Sequence, residues 1–161
     1  MSETPVGFLG IGAMGRPMAI NLAKAGHQIV VSDPNPVATG IVAQHGAIIV
    51  ESARAVADQA QVVHVCLPTV AIAEQVAAEV AEGKAITYLV NHGTTGSAFS
   101  KATAAAVAAK GIGFLDAPIS GGVAGAEAGT LAIMCSGDAA AFEAARPAME
   151  AMSGQLTYLG A

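Results

Sequence analysis

The sequence predicts an α/β fold: a doubly wound, mostly parallel sheet with helices on both faces and a C-terminal β-α-β extension. Three observations carry this prediction. Short Val/Ile runs alternate with Ala-rich stretches of helical spacing along the 161 residues, the pattern of repeated β-α-β units. The Val/Ile runs lack a polar residue at every second position, so both faces of the sheet are expected to be covered. The length suits one domain, residues 1–161, able to bury a sizeable core.

Val6–Leu9 is the first strand and ends in glycines. Ala13–Ala25 reads as a helix with Met14, Met18, Leu22 and Ala25 near one face. Pro17 falls in its first turn, where a missing N–H does little harm, and Gly26 stops it. Gln28–Ser32 is the second strand, ended by the turn Asp33-Pro34-Asn35-Pro36. A helix from Pro36 to Gln44, a strand at Ala47–Val50 and a short helix at Ser52–Asp58 follow. Val62–Cys66 is a strand closed by Pro68, Val70–Ala81 a helix and Ile86–Val90 a strand. Ser97–Lys110 is helical, with the alanine run Ala102–Ala109 packed close to the sheet, and Phe114–Ala117 is a strand. The glycine-rich Ile119–Gly129 reads as an irregular loop. Leu131–Cys135 is a strand, Ala139–Met152 a helix and Gln155–Tyr158 a last strand.

Composition removes several function classes. Hydrophobic residues make up 53% and charged residues 12%, which excludes a disordered chain. No apolar run approaches the roughly 18 residues of a spanning helix, so no membrane partner is expected. The net charge is −5 and the seven Lys plus Arg are scattered, so nucleic acid is not an expected partner either. Cys66 and Cys135 form no CxxC pair, and His27, His45, His64 and His92 share no ligand spacing, so no metal is expected. Met1–Pro5 lacks the regions of a signal peptide. The expectation is a cytoplasmic protein with free thiols.

The most informative segment is Gly10-Ile11-Gly12-Ala13-Met14-Gly15, a GxGxxG turn between a predicted strand and a predicted helix. Gly10 permits the tight turn, Gly12 lets a pyrophosphate approach the backbone, and Gly15 lets the helix pack against the strand. Free N–H groups and the helix dipole attract phosphates there. Asp33 stands at the end of the second strand, where an acid accepts hydrogen bonds from ribose hydroxyls and repels a 2′-phosphate. These residues point to a Rossmann-type domain binding NAD rather than NADP. Arg16, beside the turn, is a further phosphate candidate.

The run Gly7-Phe8-Leu9-Gly10-Ile11-Gly12-Ala13-Met14-Gly15, with Met18-Ala19 and Asn21-Leu22, resembles the opening of the β-hydroxyacid dehydrogenases, the family of 3-hydroxyisobutyrate and 6-phosphogluconate dehydrogenases. Cys66-Leu67-Pro68 resembles that family's cofactor loop, which implies cofactor contacts for Leu67 and Pro68. Asn91-His92-Gly93-Thr94-Thr95 resembles its Asp-x-Ser-Thr stretch, with Thr94 at the cofactor-contacting threonine. Asn91 departs from the usual Asp, and Gly93 from the usual hydroxyl residue. Asp116-Ala117-Pro118-Ile119-Ser120-Gly121-Gly122, with Gly125-Ala126, resembles its substrate segment. There Ser120, Gly121 and Gly122 would hold a substrate carboxylate, and exposed glycine N–H groups beside a hydroxyl suit that task.

The resemblance implies hydride transfer between NAD and a small β-hydroxy acid. It also implies a general acid/base lysine in a second, all-helical domain, through which the full-length protein would form homo-oligomers. Lys24, Lys84, Lys101 and Lys110 do not match that lysine and read as surface residues. No catalytic residue is therefore assigned in this chain, and the isolated chain is expected to bind cofactor without turnover. The alternatives are an NADPH-linked imine or semialdehyde reductase of the same superfamily, or a stand-alone dinucleotide-binding or sensing module. His64 is expected to be a satisfied strand residue and Cys135 a small core residue. His92 and Cys66 lie at the strand ends where ligands bind in such sheets. His92 is a candidate for touching nicotinamide or substrate, whereas Cys66 has no evident activating base.

Overall fold

A computed structural model describes residues 4–161. The reading of Met1–Pro5 as lacking a leader falls mostly outside the described residues. The chain runs β1 (Val6–Leu9), α1 (Gly15–Lys24), β2 (Ile29–Ser32), α2 (Pro36–Ala43), β3 (Ile48–Ile49), α3 (Ala53–Ala57), β4 (Val62–Val65) and α4 (Val70–Val80). It continues through β5 (Tyr88–Asn91), α5 (Ser97–Ala108), β6 (Gly113–Asp116), β7 (Ile119–Ser120), α6 (Gly122–Ala128), β8 (Leu131–Gly137), α7 (Ala139–Met152) and β9 (Ser153–Tyr158).

The sheet order is β3-β2-β1-β4-β5-β6-β8-β7, with β9 on β8. Strands β1 to β6 pair in parallel. β8 is antiparallel to β6 and β7 and parallel to β9. The expected β-α-β extension is β8-α7-β9. From β1 the chain winds outward through β2 and β3, then crosses back to place β4 on the other side of β1. The resulting crevice at the ends of β1 and β4 is where ligands bind in doubly wound sheets.

Alternation along each strand feeds two cores. Phe8, Val31, Leu115 and Ile133 pack with Met18 and Leu22 of α1 and Met149 of α7. Leu9, Val30, Val63 and Leu89 face the other way, against Val56 of α3, Val80 of α4 and Phe99 and Val107 of α5. The alanine run of α5 is not its packing face. Phe99, Thr103 and Val107 are buried, whereas Ala102, Ala105 and Ala106 are exposed. Ala25, placed on the buried face of α1 from its spacing, is also exposed.

The segment Ile119–Gly129 is not an irregular loop. It holds β7 and α6. Its glycines mark helix ends: Gly121 and Gly122 have φ of +138° and +64° before α6, and Gly129 closes it with φ +70°, a left-handed C-cap. The Asn21 side chain on α1 donates to the Ala126 carbonyl at 2.7 Å, tying the two helices together. Among the described residues no helix is long and apolar enough to cross a membrane.

Candidate functional site

The glycine turn caps the C-terminal end of β1, and its three glycines have distinct surroundings. Gly10 has φ +92°, and a Cβ there would lie 2.2 Å from the Cys66 carbonyl oxygen and 3.0 Å from Leu67 Cδ2. The β4–α4 loop therefore presses directly on the turn, which only glycine permits. A Cβ on Gly15 would lie 1.8 Å from the Gly10 carbonyl oxygen, so the first residue of α1 must also be glycine. A Cβ on Gly12 would meet nothing within 4 Å. No packing requires glycine at that position, and its open approach suits a ligand coming close to the backbone.

The turn's amides are available. Among the described residues, the N–H groups of Gly12, Ala13 and Met14 make no hydrogen bond, and α1 begins without a side-chain cap. Ile11 is the exception, donating its N–H to Asp33 Oδ2 at 2.8 Å. Asp33 Oδ1 accepts from the Asn35 N–H at 2.9 Å. One carboxylate thus joins the ends of β1 and β2. An ionised carboxylate has about four acceptor positions, so capacity remains for two hydroxyls.

Gly10, Asp33 and Leu67 line one cleft of about 560 Å³, together with Glu51, Ile72 and Val76. Ile72, Gln75 and Val76 were not singled out from the sequence. Their spacing along α4 directly after Leu67-Pro68 is the signal that would have found this wall. Thr94 is exposed on the turn after β5. Buried Asn91 shapes that turn, with Nδ2 donating to Thr95 Oγ1 at 2.9 Å and Oδ1 accepting from the Gly93 N–H at 3.1 Å. Ser120, Gly121 and Gly122 are exposed beyond the end of β6. Pro68, Thr94 and Ser120–Gly122 do not line the cleft.

Two histidine expectations are corrected. His92 is 1% exposed and turned into the protein. Its Nδ1 bonds the Ala117 carbonyl at 2.8 Å, and its Nε2 meets His64 Nδ1 at 2.8 Å. It faces this core because the chain at the end of β5 keeps the strand's alternation, with His92 following Val90 on one side. His64 is fully buried but not fully satisfied, since its Nε2 has no partner. Burial pushes the His92 imidazole down to about 4, opposed by its bond to Ala117. Burial also holds His64 well below its ordinary range, with smaller contributions from His92 and His27.

Burial raises the Cys66 thiol to about 11, so it is not a ready nucleophile. Asp116 is raised by burial, against hydrogen bonds from Ser100 and Asn91. Lys24, Lys84, Lys101 and Lys110 are all exposed, and Lys110 pairs with Glu82. Among the described residues no cluster of three His, Cys, Asp or Glu could hold a metal ion. The surroundings of Gly10, Gly12 and Asp33 fit a dinucleotide: free amides for phosphates, an open approach, and a carboxylate at the neighbouring strand end.

Comparison with known proteins agrees with this geometry. Residues 5–160 match the family model described as the NAD binding domain of 6-phosphogluconate dehydrogenase. A probable 3-hydroxyisobutyrate dehydrogenase of Mycobacterium bovis is 38% identical over 98% of this chain and 54% of its own length. The 2-hydroxy-3-oxopropionate reductase of Escherichia coli is 38% identical over 96% of this chain and 54% of its own length. The solved structure of Mycobacterium tuberculosis 3-hydroxyisobutyrate dehydrogenase with L-serine superposes with a TM-score of 0.93 at 37% identity. It covers 99% of this chain and 55% of that one. The chain thus spans about half the length of the curated relatives it matches. It belongs to the family of NAD binding domains of the 6-phosphogluconate dehydrogenase type.

Proposed function

We propose that this chain holds NAD, in preference to NADP, for a dehydrogenase acting on a small β-hydroxy acid. One observation carries the cofactor preference: Asp33, bonded to the Ile11 N–H, fixes a carboxylate at the end of β2 beside the glycine turn. A 2′-phosphate would meet that charge directly, whereas ribose hydroxyls can donate to it. The same carboxylate argues against an NADPH-linked reductase. The amides of Gly12, Ala13 and Met14 would take the pyrophosphate. Gly10, Ile11 and Gly15 would keep the turn in shape, and Leu67, Pro68 and Thr94 would bound the cofactor's path.

The substrate class rests on the relatives' names, which are those of small hydroxy and oxo acids. Ser120, Gly121 and Gly122 would bind the carboxylate through a hydroxyl and backbone N–H groups. Bound in the crevice, nicotinamide supplies a hydride acceptor for the hydroxyl carbon. The chain's own contribution is position, which is a large share of the catalysis of such transfers. The hydroxyl proton needs a base. None of the four lysines lines the cleft beside the turn, so we assign that role to a lysine in a further helical domain, one that would also mediate homo-oligomerisation. The free thiols Cys66 and Cys135 suit a reducing, cytoplasmic setting.

Titration of NAD and NADP into the 161-residue chain at one salt concentration tests the reading. NAD is expected to bind at least tenfold more tightly. NADP binding as tightly as NAD would overturn the role of Asp33. The chain alone is expected to be inactive on a panel of hydroxy acids, and turnover by it would overturn the assignment of the base elsewhere.

A further inference from the structure

The cleft beside the glycine turn carries more negative charge than Asp33 alone supplies. Asp33, Glu51 and Glu79 all line it, and no described residue that lines it is Lys, Arg or His. Glu51 follows β3 at the same end of the sheet as Asp33. The pairing of β2 with β3 sets Val31 beside Ile49. The Val50 N–H then donates to the Val31 carbonyl at 2.9 Å, which carries the pairing one residue past the strand. One step further along this parallel register, Glu51 stands beside Asp33. Neighbouring strands lie about 4.8 Å apart, so the two acidic residues border one cleft from adjacent strand ends. Glu79 stands on α4, outside this register.

The two carboxylates are held differently. Both oxygens of Asp33 accept from backbone N–H groups, those of Ile11 and Asn35, whose dipoles offset part of its charge. Glu51 is exposed, and among the described residues its carboxylate accepts no hydrogen bond. The ion pairs of the described residues, Lys110 with Glu82 and Arg146 with Glu143, leave it without a cation. Glu51 thus presents a bare charge to the cleft.

We propose, on the reading of this cleft as the seat of the cofactor's ribose, that Glu51 is a second determinant of cofactor choice, a carboxylate at the end of β3 that repels the 2′-phosphate of NADP. Such a phosphate monoester carries about −1.5 to −2 charges at neutral pH, whereas NAD has a neutral hydroxyl in its place. An unpaired like charge placed against the wrong ligand discriminates without any contact to the right one. NADP is then excluded by two charges from two strands, and replacing Asp33 alone would leave Glu51 facing the phosphate.

Glu51→Gln keeps the shape of the side chain and removes its charge. NAD and NADP are titrated by calorimetry into the 161-residue chain in about 0.1 M salt, where the Debye length is about 10 Å and distant charges are screened. Glu51→Gln is expected to raise NADP affinity at least threefold and to leave NAD affinity within twofold. Glu51→Lys should raise NADP affinity at least tenfold. In about 1 M salt, with a Debye length of about 3 Å, the gain from Glu51→Gln should fall below twofold. Glu79→Gln on α4 and Glu150→Gln on α7 remove the same charge elsewhere and should each give a smaller gain. If the unaltered chain binds NADP as tightly as NAD, or binds neither, the reading of the cleft falls and the role of Glu51 with it. If it prefers NAD but Glu51→Gln leaves NADP affinity unchanged, the role of Glu51 alone is overturned. Equal gains for NAD and NADP, or an equal gain from Glu79→Gln or Glu150→Gln, would overturn it too.

Discussion

Among the described residues, four helices begin under a side-chain cap and three do not. Asn35 accepts from the Val37 and Ala38 amides, Ser52 from Ala55, Thr69 from Ile72 and Asp138 from Ala140, at the starts of α2, α3, α4 and α7. Helices α1, α5 and α6 have no such cap. They adjoin three of the four segments that the family resemblance marks for ligand contact, Gly10–Gly15, Asn91–Thr95 and Ser120–Gly122; the fourth, Cys66–Pro68, leads into α4, which Thr69 caps. A side-chain cap contributes about 1 kcal/mol. Its omission at these three starts leaves backbone donors without a side-chain partner, and we propose that a ligand takes that place.

The difference can be pressed at both kinds of start. Gly15→Ala drives a Cβ onto the Gly10 carbonyl; urea unfolding should show a loss on the order of 3 kcal/mol. A loss under 1 kcal/mol would mean the turn yields easily and is not a rigid cradle. Acid probes the third uncapped start, since His92 holds the Ala117 carbonyl just ahead of Ser120. An unfolded histidine takes its proton near 6.5, whereas folded His92 stays neutral down to about 4. The unfolded state binds more protons between those values, so stability should fall as pH drops from about 6.5 toward 4, by on the order of 3 kcal/mol. His92→Leu should reduce that slope in urea titrations across the window, leaving the part due to buried His64, which is also held below its ordinary range.

Gly12→Val changes the least crowded glycine of the turn. Calorimetry should show NAD affinity falling at least 100-fold, about 2.7 kcal/mol, with stability changed by less than about 1 kcal/mol. Unfolding of this variant would make Gly12 a structural residue. Asp138→Ala removes a cap far from the turn, and should cost about 1 kcal/mol of stability and leave NAD affinity within twofold. A large affinity loss there would erase the distinction between the two kinds of start.

The strand–helix order and the glycine turn were legible because they rest on local rules. Gly15 is dictated by the Gly10 carbonyl five residues away. Gly10 is marked by the motif, although its crowding comes from Cys66 and Leu67 of the distant β4–α4 loop. Asp33 is marked by its place at a strand end. What was not legible depended on long-range packing. Gly121, Gly122 and Gly129 have the composition of a loop, yet they bound α6, which is held by Asn21 from a distant helix. His92 stands at a ligand-facing strand end, but the pairing of β4 with β5 brings His64 within reach and turns it inward. The position of Ile72, Gln75 and Val76 directly after Leu67-Pro68 is visible in the sequence, but that they share one cleft with Asp33 follows only from the fold.

Amide hydrogen exchange with and without NAD tests the central claim most directly. Saturating NAD should slow exchange at Gly12, Ala13 and Met14 at least tenfold, while Ala139, Ala140 and Ala141, at the start of capped α7, exchange as before. Unchanged exchange across Gly12–Met14 with NAD bound, or equal protection at both helix starts, would contradict the account.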